Sequence, residues 1–165
     1  MYRKIKNLKE VLENHLIYLE TGDLAKRADL SDADLTGVNL AGVNLAGADL
    51  ADADLSAADL TGVNLAGADL TGVNLAGANL ADANLICANL IRANLSHVNL
   101  SHVDLRHVDL TGANLTGANL TGAQIYYTLL DRTNLSHANL SHVNLSHAFL
   151  IDTDLNCAEG LNGKK

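Results

Sequence analysis

A period of five residues governs this chain more than any other feature of its sequence. From Leu30 to Leu155 every fifth position is leucine, with Ile125 as the exception. Two residues before each of these stands Ala, Val or Thr, beginning with Ala28, Ala33 and Val38 and ending with Ala148 and Thr153. The residue between is usually Asp or Asn, so the unit reads Ala-Asp/Asn-Leu-x-x. A spacing of five fits neither the 3.6-residue turn of an α-helix nor the two-residue alternation of a strand, and neither element could keep every Leu on one face. A chain that turns a corner every five residues keeps them all inside.

Such an interior must be narrow, and the apolar residues suit it. The chain has one Phe, no Trp and four Tyr, so Leu, Ala and Val supply most of the apolar matter. Its 165 residues fit one domain, and proline is absent. Glycines such as Gly37, Gly42, Gly62 and Gly72 follow the Leu by two, where they ease tight turns. Their regularity has this structural cause, and no phosphate-binding glycine motif is present.

The stretch ADLSDADLTGVNLAGVNLAGADLADADL, residues 28–55, resembles the pentapeptide-repeat family. The resemblance implies an all-β solenoid, a right-handed quadrilateral β-helix of about 20 residues per coil. The resemblance also implies that the Leu and the small residue two before it point inward and the other three positions outward. We expect a capping helix and lead-in turn over residues 1–27, the repeat β-helix over 28–159, and a tail over 160–165.

The two ends differ. Leu8, Leu12, Leu16 and Leu19 predict a helix over residues 8–20, with Ile5, Val11 and Tyr18 extending its contact. Asn7 and Glu10 stand in capping-box positions and Gly22 suits the C-terminal stop. The segment H-x-x-Y-L-E-T-G-D-L from His15 resembles the lead-in of some bacterial, notably cyanobacterial, members. The helix is expected to shield the first coil, with a partner-binding helix as the alternative. No comparable helix follows Leu155. Leu129 and Phe149 replace the usual Asp or Asn 20 residues apart, with Tyr126 and Tyr127 close by. These features predict a homodimer through the C-terminal coil using Leu129, Phe149, Leu161 and Tyr127. The alternative is a monomer whose last residues fold across the opening.

The charge is uneven within a formal net of -8. Residues 29–82 carry nine Asp and no Lys or Arg, whereas residues 83–160 carry six acids and three arginines. This pattern repels nucleic acid and anionic membrane and suits a basic protein surface. Asp32, Asp34, Asp52 and Asp54 form the candidate acidic interaction surface. Family members that act on DNA gyrase imitate the duplex with an acidic rod, which makes gyrase or another topoisomerase the alternative partner.

Enzymatic chemistry is not expected. Ser96, Ser101, Ser136, Ser141 and Ser146 each precede a His, yet adjacent residues on a turn do not form an oriented nucleophile and base. Cys87 and Cys157 share no metal-binding spacing, and outward histidines such as His137, His142 and His147 diverge to different sides. His107, Tyr127 and His147 are expected to stack. The reading is a non-enzymatic, cytoplasmic scaffold of unknown protein partner, with no catalytic residue, cofactor, metal, direct nucleic-acid contact or membrane association.

Overall fold

A computed structural model describes residues 2–161. The chain winds into a four-sided coil in which each side bridges, in parallel, to the residue 20 positions later, as Asp29 does to Asp49 and Asp34 to Asp54. The four sides pass through Asp29, Asp34, Asn39 and Asn44, and are called the first to fourth sides below. Each side is short and contributes a single bridging residue to the ladder. The ladder is carried by repeated bonds of the type Leu35 N–H to Asp54 carbonyl, 2.8 Å, and Asp54 N–H to Ala33 carbonyl, 2.8 Å.

The Leu column lies inside. Leu30, Leu55, Leu75 and Leu95 are fully buried together with the small residues between them, among them Ala53, Val73 and Ala93. Every corner is a β-turn in which the amide two residues before the next Leu returns to the preceding Leu carbonyl, as in Ala48 to Leu45 at 3.0 Å. The third residue of each turn, from Asp32 to Cys157, has φ between 55° and 70°. A positive φ at that place defines a type II turn. Glycine fills it at Gly117 (φ 66°), but His107 (59°), Tyr127 (58°) and Cys157 (55°) are held there as well. The coil imposes the conformation, and its inward packing and ladder offset the strain that a side chain meets there.

Outward Asp and Asn stabilise the corners. Asp54 accepts the Ser56 amide at 3.0 Å and Asn99 accepts the Ser101 amide at 3.2 Å, so each closes an Asx-turn. Asn has a further donor, which it directs to the coil before it. The Asn94 side chain donates to Asn74 and that of Asn74 to Asp54, both at 3.0 Å.

At the N-terminus, α1 (Leu8–Thr21) lies across the mouth of the first coil. Asn7 caps it by accepting the Glu10 amide at 3.2 Å, and its side-chain amide donates to the Glu10 carboxylate at 3.0 Å. Gly22 closes it in the left-handed region at φ 74°. A 3-10 turn, Leu24–Lys26, leads into the repeat, with Asp23 accepting the Ala25 amide.

The buried stripe of α1 differs from the expected one. Leu8, Val11, Leu12, Tyr18 and Leu19 are partly covered and His15 is wholly buried, whereas Leu16 is 53% exposed. At roughly 100° per residue, Leu16 lies just outside the arc holding the other six, and His15 lies near its centre. Arg3 adds an unexpected rung. It pairs in parallel above Ala33, with the Asp34 amide donating to its carbonyl at 2.9 Å. Cap and rung leave Val38 and Val43 only partly covered.

Candidate interaction surface

The outer surface carries two distinct regions, and the register of the coil assembles both. Leu129 and Phe149 bridge directly, one above the other, on the first side. They are 36% and 50% exposed. At the preceding corner Tyr127, 51% exposed, stacks on His107 with 5.4 Å between ring centres and lies 5.7 Å from the His147 ring, which is tilted by 45° to it. Tyr126 joins the same corner, its ring 6.2 Å from that of His147 and its hydroxyl accepting the Asn144 side-chain amide at 2.9 Å.

Leu161 stands apart from these residues. Gly160 brings the chain against the Ser141 backbone so tightly that an added Cβ would meet the Ser141 nitrogen. This register sets Leu161 at the corner between the third and fourth sides, one side away from Tyr127. The surface instead gains Leu150 and Ile151, both exposed, Ile151 to 64%. The signal for Ile151 was present in the sequence: it fills a place after Leu that elsewhere is mostly Ser, Thr or Ala. Among the described residues, the last coil also leaves Val143, Leu145 and Leu155 only partly buried, so the apolar column opens at this end. Asn162–Lys165, the greater part of the expected tail, lie outside the described residues.

The fourth side is pried open beside this corner. Among the described residues, the amides of Ile125 and Tyr127 do not form the rungs to Asn144 and Ser146 that the repeat would supply. One coil earlier the His107 to Tyr126 rung stretches to 3.3 Å, and two coils earlier the Cys87 to Arg106 rung reaches 3.5 Å. The opened rungs adjoin the bulkiest outward side chains of the coil, whose ring centres lie 5.4 and 5.7 Å apart against a usual rung spacing of about 4.8 Å. On the inside, Thr128 directs its hydroxyl to the Leu105 carbonyl at 2.7 Å.

The second region lies at the other end. Asp29, Asp49 and Asp69 rise along the first side and Asp34 and Asp54 along the second, with Asp32 and Asp52 at the corner between. All four acidic residues singled out from the sequence therefore meet at one edge. The cap neutralises part of this charge through Arg3 to Asp29 (3.1 Å) and Arg27 to Asp49 (3.3 Å). Among the described residues, no ion pair reaches Asp32, Asp34, Asp52 or Asp54. The Asp29 carboxyl is held below the usual carboxylate range, first by the Ser31 hydroxyl, against partial burial and with help from the Ser31 amide and Arg3. Asp104 is lowered chiefly by its hydrogen bond from Arg106.

Neither region converges on a reacting centre. Among the described residues no group of three or more His, Cys, Asp or Glu side chains could hold a metal ion, and both cysteines are free and exposed. His97 lies over Gly117, where an added Cβ would sit 2.6 Å from its Nδ1, so this histidine folds onto its own surface. An open groove of about 410 Å3 between α1 and the coil is lined by Tyr18, Leu19, Gly22, Ala46, Gly47 and Ala66. Its one polar side-chain group is the Tyr18 hydroxyl. No helix among the described residues is long and apolar enough to cross a membrane.

A four-sided solenoid with an inward Leu at every fifth residue defines a class of repeat protein. The family model for pentapeptide repeats matches residues 28–65, 64–101, 99–136 and 133–159, and the chain belongs to that family. Its coil is accordingly a right-handed quadrilateral β-helix. Among solved structures it is similar to a trypsin-treated form of QnrB1, described as a plasmid-mediated fluoroquinolone resistance protein. Identity is 23%, the match covers 78% of this chain and 70% of that one, and the TM-score is 0.64. It is also similar to HetL, a pentapeptide-repeat protein involved in heterocyst differentiation regulation in the cyanobacterium Nostoc sp. strain PCC 7120. That match has 29% identity over 84% of this chain and 85% of the other, with a TM-score of 0.36. Rfr23 of the cyanobacterium Cyanothece 51142 matches at 26% identity over 87% and 94%, with a TM-score of 0.39. No curated protein matches the chain at a significant level.

Proposed function

We propose that this protein is a non-enzymatic, cytoplasmic scaffold that pairs with a second copy through its C-terminal coil and presents its acidic edge to a basic protein partner. The observation that carries the reading is the exposed apolar group of Tyr127, Leu129, Phe149 and Ile151 on a coil whose outer surface is otherwise mostly polar; Tyr2, Leu16, Ile17 and Leu24, also exposed, lie in the cap and lead-in turn. Contiguous exposed apolar surface is the usual mark of a contact site, and the partly uncovered Leu145, Leu150 and Leu155 beside it would be covered by the same partner. Sedimentation at high micromolar concentration should give a dimer for the wild type and a monomer for Phe149→Asp. A monomer in both would remove the dimer.

The acidic edge favours a second reading, a mimic of DNA that binds gyrase or another topoisomerase. Carboxylates at successive rungs place negative charge about every 4.8 Å along the rod, a line that a DNA-binding saddle could accept. Replacing Asp32, Asp34, Asp52 and Asp54 by Asn isolates the charge. Asn can close the same Asx-turns at positions 34 and 54 and is well tolerated at the positive φ of 32 and 52. Wild-type protein added to a supercoiling assay should change the activity of gyrase, and the four-Asn variant should have lost most of that effect. Equal effects of the two proteins, or none from either, would reject mimicry.

A further inference from the structure

His15 is a buried titratable group that neither proposed surface uses. Its ring is fully enclosed between α1 and the first coil. Nδ1 accepts the Ala28 amide at 3.0 Å, which places the proton of the neutral ring on Nε2, and Nε2 has no partner with hydrogen-bond geometry. The groups facing it are few. From its own helix, Tyr18 stacks on the ring at 5.2 Å between centres. From the lead-in turn comes the Arg27 guanidinium, itself paired with Asp49, and from the first coil come the Ala28 amide and the Ala46 backbone.

We propose that His15 is an acid-sensitive latch that holds α1 on the first coil and lets it go when the ring takes up a second proton. The new proton would occupy Nδ1, so a donor would face the Ala28 donor and their hydrogen bond would be lost. A full charge would also be enclosed beside Arg27, with only the Ala46 backbone to favour it. Outside the cap, in water, the charged ring is solvated at no such cost. Opening would uncover the mouth of the first coil, including Ala28, Leu30 and Leu45, while later coils keep their ladder. The latch also gives a physical role to His15 and Tyr18 in the segment that opens with them.

The sign follows from the burial, which lowers the His15 pKa from its ordinary 6.5. The folded cap binds fewer protons than the released one, so cap stability is complete above about pH 6.5 and falls as the pH drops below it. Hydrogen exchange on the full chain, corrected for intrinsic rates, should show protection in α1 falling severalfold between pH 7.5 and 5.0, with the coils around Leu75 unchanged. His15→Asn supplies the control, because its side-chain oxygen can accept the Ala28 amide without titrating. Protection of α1 in that variant should be flat with pH. A flat wild type, or an equally steep loss in His15→Asn, would overturn the latch. Should the variant dock poorly, the imidazole nitrogens of wild-type His15 can be followed by NMR, and a doubly protonated ring under a still-protected α1 would overturn it as well.

Discussion

Leu75→Asp should lower the unfolding free energy by about 4 kcal/mol or more, and Thr71→Ser, four residues away, should leave it nearly unchanged. Leu75 is wholly enclosed, with Leu55 and Leu95 above and below it in the column. Removing its side-chain volume alone costs about 3 to 5 kcal/mol in a packed core. A carboxylate enclosed among leucines adds the cost of desolvation or of forced protonation, with no donor nearby to offset it. Thr71 faces outward, and its hydroxyl donates to Asp69 at 2.7 Å, a bond that serine retains. Because each coil touches only its neighbours, Leu75→Asp should also uncouple the two halves of the rod and broaden the melt. A denaturant or thermal melt followed by circular dichroism measures both effects. Equal losses in the two variants would show that the column at Leu75 does not carry the stability assigned to it.

The column was legible because it is written once per side, and a misplaced residue could not hide in a strict period. Stacking along the rod was equally readable. Once the coil holds 20 residues, Leu129 must lie over Phe149 and Tyr127 between His107 and His147. What stayed hidden has no period. The choice of His15 over Leu16 depends on the angle at which α1 meets the coil, and that angle is set by contacts with Ala28, Ala46 and Gly47 far along the chain. The Arg3 rung comes from residues outside the repeat. The opened fourth side adjoins the rings of Tyr126 and Tyr127, and the repeat alone does not state which rungs are lost there. Leu161 shares the C-terminal end with Phe149, and the register of the coil sets it at a different corner.

Excising residues 56–75 should leave a folded, cooperatively melting protein, while excising 56–76, one residue more, should cost roughly 3 kcal/mol or more. The shorter excision removes one full coil and joins Leu55 to Ala76, so Leu55 and Leu80 stand five apart and the turn between them is complete. Every later residue moves down one rung without rotating. The Leu55 amide meets the Asn94 carbonyl in place of that of Asn74, and the Asn94 side chain can donate to Asp54 as that of Asn74 did at 3.0 Å. The inward Leu is kept in both constructions. Losing Ala76 as well leaves only Gly77, Ala78 and Asn79 between Leu55 and Leu80, too few to make both the turn and the next side. The chain must then give up the turn bond, draw Leu80 out of the column, or shift the ladder for every coil that follows, and each breaks several buried contacts or rungs together. An extra residue could bulge outward at a corner, but a missing one has no slack to borrow, since each side already spans its rung almost fully extended. Comparable melting curves for the two excisions would mean that the corner count is not what closes the coil.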